Sequence, residues 1–280
     1  MTEQPLRAPG LTLSNEMLCD VALEAARAAA RVIRDAAPRA AGLVWKEKQV
    51  SDFVSEVDLA AEASALQVIR RRVPDAGVLA EESATTIETE QLERAIVFVV
   101  DPLDGTTNFL HGYPEYAVSV GVLRDGGLVA GVVIDIPLNE EFSATAGTGA
   151  FRNGERLQVS SIEDPTRALF GTGIPFKRGD DATQYLAQLG RVMASAAGVR
   201  RAGAAALDLA SVACGRFEGF WELRLSPWDI AAGLLLVREA GGVATTLDGR
   251  ECGVEHTGLV AGSPRMHRWL LDTLAHEPAR

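Results

Sequence analysis

Two aspartates stand at the end of an apolar run in the segment VFVVDPLDGTTNF, residues 97–109. Asp101 and Asp104 are followed by a glycine and two threonines. Because proline cannot donate a hydrogen bond to a sheet, we predict that the strand ends at Pro102, that Gly105 turns the chain and that TTNF opens a helix capped by threonine. The segment is either an Asp-Gly turn with a local cap or a carboxylate pair around a divalent cation, since two carboxylates beside the amides of a helix start repel each other.

Further carboxylates occur in similar settings elsewhere in the sequence. Glu81 and Glu82 follow a short apolar segment that is typical of a strand. Asp229 lies in the first turn of a long apolar helix, and Asp52 and Asp58 lie before and at the start of another. Each of these could simply cap its own element, Asp229 above all. Taken together, carboxylates at the ends of several apolar elements indicate a shared pocket, and a set of oxygen donors suits Mg²⁺ or Mn²⁺ rather than zinc or copper.

The elements that carry these residues follow from apolar spacing and turn residues. Ser14 is a candidate cap for a long alanine-rich helix, and a second helix spans about residues 59–72. Residues 95–100 form an apolar, β-branched run, which is typical of a strand covered on both faces. Short apolar runs separated by tight turns between residues 116 and 160 predict an antiparallel meander.

The C-terminal half alternates helices and strands. We predict helices near 182–197, 205–214, 228–240 and 265–275, and strands near 217–223, 242–247 and 258–262. The fold class is therefore mixed α/β. We expect a flexible arm over residues 1–13 and one domain over 14–280, with an N-terminal lobe over 14–160 and a C-terminal lobe over 161–280.

The composition limits the partners that the protein can have. The chain of 280 residues carries a formal net charge of −11, and because sequence-independent nucleic-acid binding requires a basic face, we expect no direct nucleic-acid partner. An acidic protein would also repel a phosphate ester unless cations intervened. No apolar run reaches membrane-spanning length, and the N-terminal segment lacks the features of a signal peptide. Cys19, Cys214 and Cys252 form no metal or disulfide pattern, so we expect a cytoplasmic protein with no membrane partner.

Three segments taken together, DPLDGTTNF, LAEES and WDIAAG, resemble the signature blocks of the inositol monophosphatase family of Mg²⁺-dependent, lithium-sensitive phosphatases, in its bacterial form. The resemblance extends from about residue 16 to residue 275, with the blocks in the family's order and spacing. It implies a five-layer α/β/α/β/α sandwich, of the type also found in fructose-1,6-bisphosphatase, with the active site between two lobes. It also implies a homodimer.

The resemblance implies a set of metal ligands. The expected ligands are Glu81, Asp101, the backbone carbonyl of Leu103, Asp104 and Asp229. They would hold two or three Mg²⁺ ions, for which Mn²⁺ could substitute. Asp101 would bridge two ions, Asp229 would also contribute to substrate binding, and Glu82 would lie behind the ligands.

The same resemblance implies the catalytic and phosphate-binding residues. Thr106, with Asp58 behind it, would position the attacking water and help to deprotonate it, and Glu81 would complete the catalytic set. Gly105, Thr106 and Thr107 would contact the phosphate. Because a threonine hydroxyl is a poor base, the metal ions must supply most of the activation, and we expect direct in-line hydrolysis with no phosphoenzyme.

The segment GVRRAGAAALDLASVACGRFEGFWE resembles the family's substrate segment. Gly203 and Ala205 would line the pocket for the substrate ring, and Glu222 would accept hydrogen bonds from substrate hydroxyls. Glu222 could instead be a solvated carboxylate at a strand end. Arg200 and Arg201 could lie at the rim of the pocket or in an interface.

One position departs from the family pattern, and a second residue has a role that the sequence leaves open. The family often has a lysine where this chain has Glu47, although Lys46 and Lys48 flank it. His111, just beyond the signature segment, could be a general acid, but a residue of a connecting loop is the simpler interpretation.

The leading hypothesis is Mg²⁺-dependent hydrolysis of myo-inositol monophosphates or similar small polyol phosphates. The segment TTNFLHGYP resembles the inositol type better than the histidinol or nucleotide types. Histidinol phosphate, fructose 1,6-bisphosphate, NADP and 3′-phosphoadenosine 5′-phosphate remain alternative substrates. A metal-binding regulatory or scaffold protein without turnover is a more distant alternative, because such a protein would often have lost Thr106 or one of the acids.

Overall fold

The sequence signals predict many short helices and strands. The structure, a computed structural model, describes residues 13–49, 52–84, 95–175, 182–254 and 258–275. The α-helices of these ranges are α1 Asn15–Ala36, α2 Glu56–Arg72, α3 Thr106–Leu110, α4 Ala182–Met193, α5 Ala205–Ala213, α6 Pro227–Glu239 and α7 Pro264–Ala275. Short 3-10 helices span Ala37–Gly42 and Pro165–Arg167. Most of the predicted arm, residues 1–12, lies outside the described residues.

The strands form a hairpin and two larger sheets. The hairpin consists of β1 Lys46–Gln49 and β2 Asp52–Val54. The first large sheet contains β3 Gly77–Ala80, β4 Ile96–Asp104, β5 Ala117–Arg124, β6 Gly127–Asp135, β7 Glu140–Thr145, β8 Gly149–Arg152 and β9 Glu155–Arg156. The second contains β10 Leu169–Thr172, β11 Gly198–Arg200, β12 Gly219–Glu222, β13 Val243–Thr245 and β14 Leu259–Gly262.

The first sheet confirms the predicted meander. Its strands lie in the order β3-β4-β5-β6-β7-β8-β9; β3 is parallel to β4, and every later pair is antiparallel. Asp125 and Asn153 have positive φ angles of 49° and 50°, and each is followed by a glycine with positive φ. These are the backbone conformations of tight hairpin turns, in which Asp-Gly and Asn-Gly pairs are favoured.

The second sheet mixes both directions in the order β11-β10-β12-β14-β13. Strand β10 is parallel to β11 and β12, whereas β14 is antiparallel to β12 and β13. The predicted strands near 217–223, 242–247 and 258–262 are present but shorter. Strands β10 and β11 were not predicted, because each is a short segment that contains a glycine and has no alternating pattern.

Helices cover both sheets and separate them. The first core lies between α1, α2 and one face of the first sheet. The second lies where α5 and α6 fill the space between the two sheets, and the third lies where α4 and α7 cover the outer face of the second sheet. The layers therefore follow the order α/β/α/β/α, as the resemblance implied. The division into lobes at residue 160 stays a prediction.

Helix α6 lies unusually close to the first sheet. Gly121 of β5 and Gly131 of β6 are paired in register. A Cβ atom at Gly121 would lie 2.5 Å from Cβ of Ala231, and one at Gly131 would lie 2.8 Å from the carbonyl oxygen of Ala232. The two glycines therefore allow the helix backbone to rest on the strands, which brings the start of α6 over the end of β4.

Three predicted boundaries are wrong. Strand β4 does not end at Pro102. Its pairing with β5 shifts register between Asp101 and Asp104, so Pro102 has no partner residue in β5 and need not donate a hydrogen bond to it. Helix α3 is capped by Gly105, not by a threonine. Helix α2 begins at Glu56, earlier than predicted, because Ser55 caps it.

None of the helices in the described ranges is long and apolar enough to cross a membrane.

Candidate active site

Glu81 is placed beside Asp101 by the register of two parallel strands. Ala80 at the end of β3 pairs with Val100 of β4. The Glu81 amide then donates a hydrogen bond of 3.1 Å to the Val100 carbonyl, which continues the pairing by one residue. The next residues on the two strands, Glu81 and Asp101, therefore lie side by side, and burial and the nearby Glu81 carboxyl group both raise the pKa of Asp101.

The irregular end of β4 orients both aspartates. The Leu103 amide donates to Oδ1 of Asp101 at 3.0 Å, which closes a short turn over the proline. The Ala206 amide, in the first turn of α5, donates to Oδ2 of Asp104 at 2.8 Å. Asp104 thus joins the first sheet to the helix layer between the sheets, and both carboxyl groups are buried.

Asp229 reaches the same region from the start of α6. The Ser226 amide donates to Oδ2 of Asp229 at 2.6 Å, so Asp229 does cap its helix. The Ser119 hydroxyl of β5 donates to the Trp228 carbonyl at 3.2 Å, which fixes this turn against the strand that pairs with Asp101. The capping interpretation and the shared-pocket interpretation of Asp229 are therefore compatible.

The electrostatics confirm that these side chains are neighbours. Burial raises the pKa of Asp101 well above its usual value. The negative charges of neighbouring carboxylates raise that pKa further, namely those of Glu81, Asp104 and Asp229. Burial also raises the pKa of Asp104, and the charge of Asp229 is the next largest cause. A buried group of this kind is stabilised either by taking up protons or by binding a cation.

The donor chemistry of this group, here called the acidic cluster (Glu81, Asp101, Asp104 and Asp229), fits a divalent hard cation. Every side-chain donor is a carboxylate oxygen, and Mg²⁺ prefers oxygen ligands. In the described ranges, no three acidic, histidine or cysteine side chains already meet the geometry of a metal site as they stand. The fit therefore rests on the type of donor and on the mutual repulsion of the buried charges.

Thr106 is held against Asp58 beside the acidic cluster. The Thr106 hydroxyl lies 2.8 Å from Oδ1 of Asp58 and 3.0 Å from the Leu103 carbonyl oxygen, and it can donate to either. The other oxygen of Asp58 accepts from the Ser55 amide at 2.9 Å and from the Ser55 hydroxyl at 2.6 Å. Asp58 is 1% exposed, so its orientation is fixed by these three contacts.

Gly105 provides the turn between the acidic cluster and α3. Its φ angle is 92°, and a Cβ atom there would lie 2.8 Å from the Glu115 carbonyl oxygen. Only glycine combines this left-handed conformation with this close approach at low cost. Thr106 follows at the helix start and is half-buried, whereas Thr107 is exposed.

The substrate-side residues of the prediction lie around the start of α5 and the end of β12. Gly203 has a φ angle of 92° and precedes the helix that Ala205 opens. Arg200 and Arg201 are exposed. Glu222 is half-buried at the end of β12 and is not among the charges that raise the pKa of Asp101 or Asp104 most.

Sequence reasoning missed several residues that support the site. Glu62 is buried, and its Oε2 accepts a 2.8 Å hydrogen bond from the Glu82 amide. Its position one helical turn after Asp58 was the available signal. Asn108 donates to the Glu115 carbonyl at 2.7 Å and to the Ala202 carbonyl at 3.0 Å, which ties α3 to the segment before α5.

Asp208 of α5 was also missed, and no local pattern marks it. It is buried, and its Oδ1 has no hydrogen-bond partner among the described residues. Burial raises the pKa of Asp208 well above its usual value, and the charge of Glu222 is the next largest cause. The charges of Glu115 and Asp104 raise the pKa of Asp208 as well, so Asp208 lies near both Glu222 and one member of the acidic cluster.

The residues with open roles are only partly placed. Lys46 is exposed, whereas the side chains of Glu47 and Lys48 lie outside the described part of the chain, as does that of Asp52. The His111 ring packs edge-on against Trp45, with ring centroids 5.2 Å apart. This contact agrees with a loop residue that packs against the segment before β1.

Comparison with known proteins gives the same picture over nearly the whole chain. The sequence model of the inositol monophosphatase family matches residues 14–279. The chain is 42% identical over 259 residues to the Nus factor SuhB of Pseudomonas aeruginosa, covering 92% of this chain and 95% of the relative. It is 40% identical over 262 residues to an inositol-1-monophosphatase of Mesorhizobium japonicum, covering 94% and 97%. The crystal structure of the extragenic suppressor protein SuhB from Bartonella henselae superposes with a TM-score of 0.86 at 39% identity, over 92% of this chain and 98% of that one.

Proposed function

Because the chain belongs to the inositol monophosphatase family, we propose that it hydrolyses phosphate monoesters of small polyols, with myo-inositol monophosphates as the leading substrates. The products are the free alcohol and inorganic phosphate. The observation that carries the proposal is the acidic cluster, in which Asp101 and Asp104 are buried next to other carboxylates. A phosphate monoester is itself an anion, so a site built from carboxylates can accept it only together with cations.

The acidic cluster and the Leu103 carbonyl would hold two or three Mg²⁺ ions, or Mn²⁺ in their place. When bound, such ions offset the charge of the phosphate and make water more acidic. The protein's part is to fix the carboxyl groups, and the amides of Leu103, Ala206 and Ser226 do so through the hydrogen bonds described above.

Thr106 and Asp58 would handle the proton of the attacking water. The Thr106 hydroxyl donates to one of its two acceptors, which leaves the lone pairs of its oxygen as an acceptor for water. A proton taken from that water by the Thr106 hydroxyl could pass on to the Asp58 carboxylate, to which the hydroxyl is hydrogen-bonded. Gly105, Thr106 and Thr107 would contact the phosphate, and water attacks it directly with no phosphoenzyme.

Glu222, Gly203 and Ala205 would contact the rest of the substrate. A carboxylate only accepts hydrogen bonds, so Glu222 suits an alcohol rich in hydroxyl groups. Histidinol phosphate, fructose 1,6-bisphosphate, NADP and 3′-phosphoadenosine 5′-phosphate are the competing substrates. A non-catalytic metal-binding role is the most distant alternative, and the presence of Thr106 and every acid of the cluster argues against it.

Phosphate release from this panel of monoesters, with Mg²⁺ titration and lithium inhibition, tests the proposal. We expect myo-inositol 1-phosphate to have the highest kcat/KM and activity to require Mg²⁺. Comparable rates across unrelated esters would overturn the inositol assignment but leave the phosphatase assignment standing. Release of phosphate without any divalent cation would overturn the metal assignment. Light scattering on the same sample tests the expected homodimer.

A second candidate function comes from the relatives named Nus factor SuhB, which are about as similar to this chain as the inositol-1-monophosphatase is. The role named in those proteins could be shared and could be independent of hydrolysis. A Pseudomonas aeruginosa strain that lacks its own SuhB can be complemented with this chain and with its Asp101→Asn variant. Rescue by both would support a Nus-factor role without turnover, and rescue by neither would argue against it.

A further inference from the structure

Glu222 has an unusual neighbour on the adjacent strand. Strands β10 and β12 are parallel, and Thr172 pairs with Trp221 at the last recorded position of their register. The residues that follow, Gly173 and Glu222, are therefore at the same level. Side chains at the same level on neighbouring parallel strands point to the same face, and the strands are only about 4.8 Å apart.

The face in question is the one that looks toward α5. Trp221 packs its ring against Tyr185 of α4 on the outer face of the sheet. Successive side chains of a strand alternate between faces, so Glu222 points inward, toward the helix layer between the sheets. Gly171 is on the same inner face, because a Cβ atom there would lie 3.2 Å from Oδ1 of Asp208.

The carboxyl group of Glu222 occupies the space where a side chain of residue 173 would be. A Cβ atom at Gly173 would lie 2.0 Å from Cδ of Glu222 and 2.1 Å from each carboxylate oxygen. These distances are far below any van der Waals contact. Gly173 itself is buried and has no positive φ angle, so backbone conformation does not explain the glycine.

We propose that Gly173 is a positioning residue for Glu222: the missing side chain forms a notch that holds the carboxylate over β10, where it selects substrates that carry hydroxyl groups. The part that concerns substrates rests on the proposed function, because it takes Glu222 as the group that accepts from those hydroxyls. The part that concerns position rests on the geometry alone.

The test substitution is Gly173→Ala. The atoms in conflict with the new methyl group are the far end of a flexible side chain, so the carboxyl group can move while the backbone stays in place. We therefore expect the variant to fold. The control is Gly190→Ala on α4, where a Cβ atom would meet nothing within 4 Å.

Two substrates distinguish a displaced Glu222 carboxylate from a general loss of activity. Myo-inositol 1-phosphate carries the ring hydroxyls, and cyclohexyl phosphate has the same six-membered ring without them. The ratio of kcat/KM for the two esters measures how well the hydroxyls are recognised. A hydrogen bond to a charged group corresponds to about a 10- to 100-fold change, and we expect Gly173→Ala to lower the ratio by about this factor. Gly190→Ala should leave the ratio unchanged.

A double-variant cycle shows whether Gly173 acts through Glu222. In a Glu222→Ala background there is no carboxylate for the notch to position. Adding Gly173→Ala should therefore not lower the ratio of kcat/KM for the two esters any further. Additive losses, equal losses for both esters, or an unchanged ratio in Gly173→Ala would each overturn the proposal.

A crystal structure of Gly173→Ala keeps the two claims separate. If the unmodified protein hydrolyses neither ester, the proposed function fails, and the position of Glu222 in that structure still decides about the notch. A displaced carboxylate supports the positioning claim. A carboxylate in its original place, with the backbone moved instead, contradicts it.

Discussion

The acidic cluster and the Glu222 wall (Gly173 and Glu222, which follow β10 and end β12) both contribute a charge that acts on Asp208, but they are built in different ways. On the first, the carboxyl groups of Asp101, Asp104 and Asp229 each accept a hydrogen bond from a backbone amide. On the second, the Glu222 carboxyl group fills the space that a side chain of residue 173 would occupy. In the first region backbone amides orient the carboxylates, and in the second a missing side chain leaves the space that the carboxylate occupies.

This difference suggests a division of labour. Directed bonds hold a carboxylate at one orientation, which a metal site requires, because ligands must converge on a point. A notch accepts the carboxylate only while residue 173 has no side chain, so a single methyl group can displace it. We infer that the acidic cluster is intolerant of substitution, whereas the Glu222 wall is where related chains could change their substrates without losing the chemistry.

The largest effect is expected from Asp101→Asn. The amide keeps the shape of the side chain but removes the charge that the proposed bridging ligand would supply, so kcat/KM for any accepted phosphate ester should fall by about 1,000-fold or more. Phosphate release in saturating Mg²⁺ is the measurement. Asp125→Asn is the control, because Asp125 is exposed in a hairpin turn with positive φ, which asparagine tolerates. Activity that survived Asp101→Asn would rule out the metal assignment.

The acidic cluster was predictable because its members lie beside local signals. Glu81 and Asp101 come at the end of apolar runs, and Asp229 lies at the start of an apolar helix, so each position can be found from a short window of sequence. The prediction that β4 ends at Pro102 was wrong because the pairing of β4 with β5 shifts register at that point. A register shift depends on the partner strand, so a short segment of sequence around Pro102 does not reveal it.

The Glu222 wall was predictable only through the family resemblance. Strand β10 has four residues, one of which is a glycine, and neither its presence nor its pairing with β12 follows from periodicity. The role inferred for Gly173 depends on a neighbour 49 residues away in sequence, as the numbers of the two residues show. Asp208, buried beneath the same wall, gave no local signal either.

A smaller loss is expected from Thr106→Val. Valine has the shape of threonine but no hydroxyl, so the hydrogen bond to Asp58 and the proposed link to the attacking water are both removed. General-base contributions are typically at least 100-fold, and we expect kcat to fall by about that factor with little change in KM. Thr106→Ser, which keeps the hydroxyl, should recover most of the rate. If valine were as active as serine, Thr106 would have no part in the reaction.

A loss confined to one class of substrate is expected from Glu222→Gln. The amide retains one acceptor oxygen but loses the charge, so kcat/KM for myo-inositol 1-phosphate should fall by about 10-fold. The value for cyclohexyl phosphate should stay within about 2-fold, because that ester offers no hydroxyl to accept from. Equal losses for both esters would place Glu222 in the chemistry rather than in recognition and would remove the contrast between the two regions.

Metal-free stability provides a test that needs no substrate. The pKa values of Asp101 and Asp104 are raised by burial and by neighbouring charges, so folding favours their protonated forms relative to the unfolded chain. Their contribution to stability is complete below the unfolded pKa of about 4 and is lost as the pH rises through the raised pKa of the folded state.

With a chelator present to remove divalent cations, Asp101→Asn should therefore have a melting temperature about 2–4 °C higher than that of the unmodified protein at pH 7.5. The difference should shrink toward pH 4. Thermal unfolding across this pH range is the measurement. Added Mg²⁺ should stabilise the unmodified protein and reverse the order of the two melting temperatures. A variant that is less stable than the unmodified protein at neutral pH without metal would contradict the repulsion inferred for the acidic cluster.

The smallest effect is expected from Ser55→Ala, which loosens Asp58 without removing it. The Ser55 hydroxyl donates to Oδ2 of Asp58 and accepts from the Val57 amide, so its loss costs both a helix cap, about 1 kcal/mol, and one of the bonds that orient Asp58. The Ser55 amide and Thr106 still hold the carboxylate, so kcat should fall by less than about 10-fold.

Ser14→Ala is the matched control, because Ser14 caps α1 by accepting from the Met17 amide and touches no residue of the site. Both variants should lose similar stability in thermal unfolding, but only Ser55→Ala should lose kcat. Because directed bonds hold Asp58, a small rotation of its carboxylate should already be measurable in the rate. If the two variants had equal kcat, the orientation of Asp58 would not matter for the reaction, and the bonds that orient carboxylates in this region would have no measurable part in the rate.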